Sequence, residues 1–353
     1  MRPPATTGAS SAGPLGWPRG AVLSAGRWTT TMAVLLLVSL VALVGSLRFG
    51  AEEIGFAEAA LNSGGTSAVI LLQVRLPRVL LAFMVGGALA VVGVALQALL
   101  RNPLADPYVL GISSGAALGA SAAMLLGIGA TLLGLYALPL CAFAGGLLSI
   151  LLVYRVAVTY GRLPVHTLLL AGVILNAIFS ALIMFVTSIM DPNRSYGLMF
   201  WLMGTLNSPS YASLGVLAAY LVLGTGILAA QSPALNLLTL GEESARSLGV
   251  EVEAMKKVVF VTAALLTGAV VSVSGLIGFV GMVVPHAVRM VVGADHRLLL
   301  PAAALAGGTF LMVADTIART ALAPGEIPVG VVTALVGGPF FIYLLMCRRG
   351  GMA

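Results

Sequence analysis

Apolar residues in this chain do not alternate with polar ones. They run together. One run extends from Thr30 to Leu47. Others follow at about 78–100, 108–128, 132–154, 166–189, 212–230, 258–275, 277–293, 298–317 and 327–346. Runs of this kind have the ~20-residue length that carries an α-helix across ~30 Å of hydrocarbon. A helix satisfies its own backbone hydrogen bonds, so it can cross where water is absent. Strands of alternating polarity, as in an outer-membrane barrel, are not seen. The pattern predicts an all-α integral membrane protein of ten transmembrane helices. The first run is long for a signal-peptide core and no good A-x-A site follows, so it is read as an uncleaved first helix.

Three stretches interrupt the pattern. YGLMFWLMGTLNSPS (196–210) is aromatic and amphipathic but too short and broken to span, and is expected to lie along the outer interface. RNPLADPYVLGISSGAALGA (101–120) breaks the chain at two prolines and then opens a helix with Gly111, Ser113, Ser114 and Gly115. Backbone freed in this way is tolerated at membrane depth where it is buried or lines a cavity. SPALNLLTLGEESARSLGVEVEAMKK, within 232–257, is the long connection between the sixth and seventh helices. A four-helix unit, helices 2–5, is compatible with an inverted recurrence as helices 7–10, a common transporter plan.

Composition sharpens the class. Hydrophobic residues are 59% of the 353 and charged ones 8%, with mean hydropathy +1.08. A soluble domain carries ~25% charge, so this chain could not cover a water-facing surface. Forty-three glycines, many in small-xxx-small spacing, suit close helix packing in lipid. The net charge of +6 is no nucleic-acid signal, because the arginines are spread through loops. With the N-terminus inside, thirteen of the eighteen basic residues fall on the cytoplasmic side, which orients both termini inward. Residues 1–27, rich in Pro, Gly, Ala and Ser, read as a disordered cytoplasmic tail. Residues 28–347 read as the ten-helix membrane domain, with the long connection at 232–257, and 348–353 as a short cytoplasmic tail. Cys141 and Cys347 read as packing residues with no disulfide or metal spacing. His166, His286 and His296 form no ligand motif.

Charge is gathered in one place. Residues 241–257 hold Glu242, Glu243, Arg246, Glu251, Glu253, Lys256 and Lys257, seven of the chain's thirty charged side chains. Gly241 followed by two glutamates suits a helix start, and Leu248-Gly249 suits a stop. The segment therefore predicts a short helix, a glycine turn and a second short helix running into helix 7. A solvated connector is the plain alternative, but the length favours a docking knob beneath the bundle. No Walker A sequence is present, so ATP, if used, is bound by another chain. Arg75 and Arg78 in VRLPRVLL, and Arg319 after helix 9, lie outside and break the charge rule. They predict either local pairing, Asp315 and Arg319 being i,i+4, or an electropositive rim for an acidic partner. Asp315 is the only acid placed within a predicted span, which weighs against a proton- or sodium-coupled carrier.

These residues carry a resemblance. VRLPRVLLAFMVGGALAVVGVALQALLRNPLADPYVLGISSGAALGA (74–120), LGEESARSLGV (240–250), GFVGMVVPHAVRMVVGADHRLLLP (278–301) and GEIPVGVVTALVGGPFFIYLL (325–345) resemble the permeases of type II ABC importers, which carry iron–siderophore complexes, haem and cobalamin. The resemblance implies a homodimer in the inner membrane, two cytoplasmic ATPase subunits that use ATP and magnesium, and an extracytoplasmic binding protein. It implies no catalysis, cofactor or metal on this chain. It makes Gly241, Glu242, Glu243, Ala245, Arg246, Leu248 and Gly249 the coupling helix, with Ala245 and Leu248 as its apolar contact. Arg75, Arg78 and Arg319 become the docking residues for glutamates of the binding protein. Helices 5 and 10 resemble the pathway lining, with Asn176 and Ser180, and also Ser113 and Ser114, as pathway polar residues. A ferric siderophore is the first expectation for cargo, and haem or cobalamin the alternative. An ion-gradient-driven carrier is the alternative of a different class, and a sensory or structural membrane protein a third.

Overall fold

The computed structural model describes residues 23–50, 65–128, 134–158 and 160–349. Most of the 1–27 tail, the acids Glu52, Glu53 and Glu58, and residues 350–353 lie outside them. The described chain is helical throughout: α1 (Ala25–Arg48), α2 (Thr66–Leu99), α3 (Ile112–Leu125), α4 (Gly134–Ala157), α5 (Val165–Ile189), α6 (Pro192–Leu202), α7 (Tyr211–Ala230), α8 (Ser232–Leu238), α9 (Glu242–Ser247), α10 (Val252–Ser274), α11 (Val280–Val292), α12 (His296–Thr320) and α13 (Val329–Arg349). Seven are long and apolar enough to span. The shorter apolar helices α3, α11 and α13 bring the total among the described residues to the ten that the apolar runs predict.

Helix α2 is the centre of the bundle, with 83% of its most apolar window buried. It packs along α12 and α11, while α3 pairs with α4. Glycine sets these distances. A Cβ built on Gly93 would lie 1.7 Å from the Gly281 carbonyl oxygen, and one on Gly86 2.2 Å from that of Gly307. On the other pair, a Cβ on Gly119 would lie 2.2 Å from the Cys141 oxygen. Backbone therefore rests on backbone, the arrangement that small residues permit where lipid supplies no hydrophobic drive.

The sequence places the start of the second helix near residue 78. The helix instead begins at Thr66 and takes a wide π turn over Ile70–Arg75 before continuing as α-helix. Such turns release carbonyls from the regular ladder. Here Ser208 Oγ donates to Val74 O at 2.8 Å, and the Tyr211 hydroxyl donates to Leu72 O. The α6–α7 connection thus fastens to the outer end of α2. Helix α6, capped by Asp191 at Asn193 N, carries exposed Tyr196, Met199 and Phe200 and buried Leu198, as an interfacial helix would.

Candidate functional site

The cytoplasmic charged segment folds much as its punctuation predicts. Gly241 takes φ 112° and opens α9; Gly249 takes φ 88° and closes it. Val250 N donates to Ala245 O and Gly249 N to Arg246 O, the paired bonds of a glycine-terminated helix end. The second short helix is the first turn of α10, which begins six residues before the apolar run. Helix α8, read from the sequence as connector, precedes α9. Asn236 fixes it: its Nδ2 donates to Asp295 Oδ1 at 2.9 Å, and its Oδ1 accepts from His296 N at 2.9 Å. Asp295 also accepts from Arg297, whose guanidinium lies 2.7 Å away and holds the carboxyl down at about 2.

Most charges of this segment face one another. Lys256 is buried, its side chain 3% exposed. Its Nζ lies 2.7 Å from Glu242 Oε2 and 3.3 Å from Glu253 Oε1. Arg246 Nη2 adds contacts of 3.2 Å to Glu253 and 3.8 Å to Glu242. The other oxygen of Glu253 accepts from Leu163 N, just before α5, at 2.8 Å. Lys256, Glu253 and Leu163 were not candidates from sequence. The signal was that both lysines of this chain stand side by side at one helix start.

One coupling residue is corrected. Ala245 is fully buried within its own chain, because it is the inward residue of a six-residue helix folded back on α10. It cannot be a partner's apolar contact. The open apolar side chains at the two ends of α9 are Leu248, 59% exposed, and Leu240, 65% exposed. Glu243 is exposed beside them; Glu242 is half-buried and turned to Lys256.

At the outer face the arginines are engaged, not displayed. Arg75 is buried and donates to Leu47 O and Arg48 O at 3.0 and 2.9 Å. Arg319 is buried; its Nη2 donates to Ser46 O at 3.2 Å, and its Nε lies 3.0 Å from Asp315 Oδ2, close but out of hydrogen-bond alignment. Asp315 is fully buried. Arg78 holds Asp315 through Nε and Nη2 at 3.0 Å and clasps Glu326 through Nη1 and Nη2 at 3.1 and 2.9 Å. The local pairing of Asp315 with Arg319 is present, but the expectation of an open rim of three arginines is corrected. Arg75 and Arg319 fill carbonyls and carboxylate at the ends of α1 and α12, and Arg78, with its exposed partner Glu326, is what the outer face presents.

The pathway candidates separate. Ser113 and Ser114 are buried where α3 packs against α4 and α5, and Ser114 Oγ donates to Gly111 O. Ser149 Oγ donates to the same carbonyl. Ser114 and Ser149 thus belong to the turn at left-handed Gly111, and Ser113 is buried with its Oγ unpartnered among the described residues, so the placement of Ser113 and Ser114 on a pathway is corrected. Asn176 and Ser180, one turn apart on α5, share an edge that reaches the surface of the chain.

Comparison with known proteins decides the class. The model of the FecCD transport family matches residues 28–347. The chain belongs to the FecCD transport family. It is 44% identical to the hemin transport system permease protein HmuU of Yersinia pestis, over 90% of this chain and 96% of that one. It is 43% identical to the cobalamin import system permease protein BtuC of Halobacterium salinarum, over 88% and 79%. A solved inward-facing metal-chelate type ABC transporter superposes with a TM-score of 0.79 at 33% identity, covering 90% of this chain and 99% of that one. This FecCD member is accordingly a multi-pass permease of the ABC importer class in the inner membrane, its ten-helix topology placing α9 in the cytoplasm and Glu326 outside.

Proposed function

We propose that this chain is the membrane-spanning subunit of an ATP-driven importer for a metal chelate. The observation that carries the reading is α9: a short cytoplasmic helix, closed by glycine at both ends, folded against α10 and edged by exposed Leu240 and Leu248. Two copies of the chain form the pathway, with the Asn176–Ser180 edges of α5 along it. A cytoplasmic ATPase binds each α9 and spends the ATP and magnesium. An extracytoplasmic binding protein delivers cargo at Arg78. Because both partners prefer one of two packings of the same bundle, ATP and docking shift one equilibrium. The named relatives bring hemin and cobalamin beside the ferric siderophore as cargo, and all three are large, rigid metal chelates.

The test is co-purification with the candidate ATPase subunits of its host, followed by ATPase assays in liposomes with loaded binding proteins and hemin, cobalamin or ferric siderophores. A two-plus-two complex stimulated by one loaded binding protein supports the reading and names the cargo. Transport driven by an ion gradient without any ATPase overturns it.

A further inference from the structure

Helix α5 is the least buried of the long spans: 17% of its most apolar window, against 72% for α10 and 83% for α2. Its outward arc includes Leu170, Val173, Ile174, Ile178, Met184 and Phe185. Within its own chain few neighbours oppose a shift of this span applied at its ends. Its cytoplasmic end begins at Pro164, which gives α5 no side-chain cap. The residue before it, Leu163, is buried at 1% exposure, and its amide is held by Glu253.

Glu253 divides its two oxygens. Oε2 takes the Leu163 amide at the start of α5. Oε1 takes Lys256 and Arg246. Arg246 stands on α9, and Lys256 is bound at 2.7 Å to Glu242, also on α9. A buried ammonium cannot be left without its carboxylates, so Lys256 ties Glu242 and Glu253 into one unit. Any displacement of α9 therefore reaches the Leu163 amide through one side chain.

We propose that Glu253 is the positioning residue through which α9 moves the start of α5, and with it the Asn176–Ser180 edge. The inference rests on α9 being the ATPase contact. The complex with its ATPase is prepared with the unaltered chain, with Glu253→Ala and with Glu253→Gln. Hydrogen exchange over residues 160–168 is compared with and without ATP plus vanadate, and uptake of hemin, cyanocobalamin and ferrichrome per ATP hydrolysed is measured in liposomes. In the unaltered complex nucleotide trapping changes exchange at 160–168. In Glu253→Ala that change is lost and uptake per ATP falls about tenfold, within the range of coupling energies between linked sites. Glu253→Gln, which keeps an oxygen for the Leu163 amide, recovers part of both. A nucleotide response at 160–168 that survives Glu253→Ala overturns the proposal, and so does loss of ATPase binding in that variant, which would make Glu253 part of the docking face. A separate control, Leu248→Arg, tests the underlying reading: if the ATPase stays bound to it at full affinity, α9 is not the contact and the failure lies there.

Discussion

Among the described residues each face of the membrane has a cluster of charges around one buried ion, and the two are built with opposite sign. Inside, a buried cation, Lys256, is held by Glu242 and Glu253, each about a quarter exposed at 26%. Outside, a buried anion, Asp315, is held by Arg78 and Arg319, exposed 13% and 6%. The inner cluster joins segments near in sequence, apart from its reach to Leu163. The outer one ties α2 to α12 across 237 positions and draws in the turn before α13 through Glu326. The difference is in what water can reach. When a partner is lost inside, the surviving carboxylates can hydrate. When Asp315 is lost, Arg319 is left in a dry place without a carboxylate, and Arg78 keeps only the exposed Glu326. A buried charge without its partner is costly in a way that an exposed one is not.

The largest expected effect is therefore Asp315→Ala, which should cost ~3–5 kcal/mol and be seen as a large drop in thermal unfolding temperature in detergent. A small drop would mean that the outer arginines find water, and the contrast between the faces would dissolve.

Asp106 sharpens the comparison from another side. It is buried, and among the described residues it has no ion pair, only the Tyr108 amide at 2.8 Å. Burial pushes its carboxyl up from 3.8 to about 6. The folded state thus keeps a proton that the unfolded chain releases between those values. Its contribution is favourable below the window and declines as pH rises through it, levelling off above about 6. Asp106→Asn keeps the acceptor for Tyr108 N and has no proton to lose. It should raise stability at neutral pH by up to ~3 kcal/mol and flatten the fall between pH 4 and 6, as thermal unfolding across that range would record. A variant that is destabilised at pH 7 would contradict this account of Asp106.

Lys256→Met should cost less, ~1–2 kcal/mol, because Glu242 and Glu253 turn to solvent and the aliphatic stem is replaced. Equal losses for Lys256→Met and Asp315→Ala would show that the two clusters are buried alike. The smallest effect belongs to Glu326→Gln. Its side chain is 54% exposed, so ~0.2–1 kcal/mol is expected, with the loss shrinking as salt is added. Thermal shifts at low and high ionic strength measure it.

Much of this was legible beforehand, for a physical reason. Ten apolar runs give ten helices because a helix satisfies its own backbone in lipid. Gly241 and Gly249 mark α9 because only a residue without Cβ takes those backbone angles easily. Asp315 with Arg319 could be read because i,i+4 pairing is local. What failed was long-range. Hydropathy treats Arg75 and Arg78 as the edge of a span, since it cannot know that Leu47, Arg48 and Asp315 satisfy them. Ala245 looked like a surface contact because the sequence does not say which side of so short a helix faces its own bundle. Lys256 looked like one more solvated charge until Glu242, Glu253 and Leu163 were placed around it.

The glycine seams have a practical consequence for anyone who attaches a probe to this protein. Gly86, Gly93, Gly119 and Gly307 meet neighbouring backbone at distances that exclude even a methyl group. A cysteine introduced there, let alone a fluorophore or spin label, would wedge the bundle and report on its own damage. Ile178, Met184 and Phe185 on α5, or Leu335 and Ile342 on α13, are open in the single chain. Reporters belong on those helices, where a signal would follow the movement of the protein instead of the size of the label.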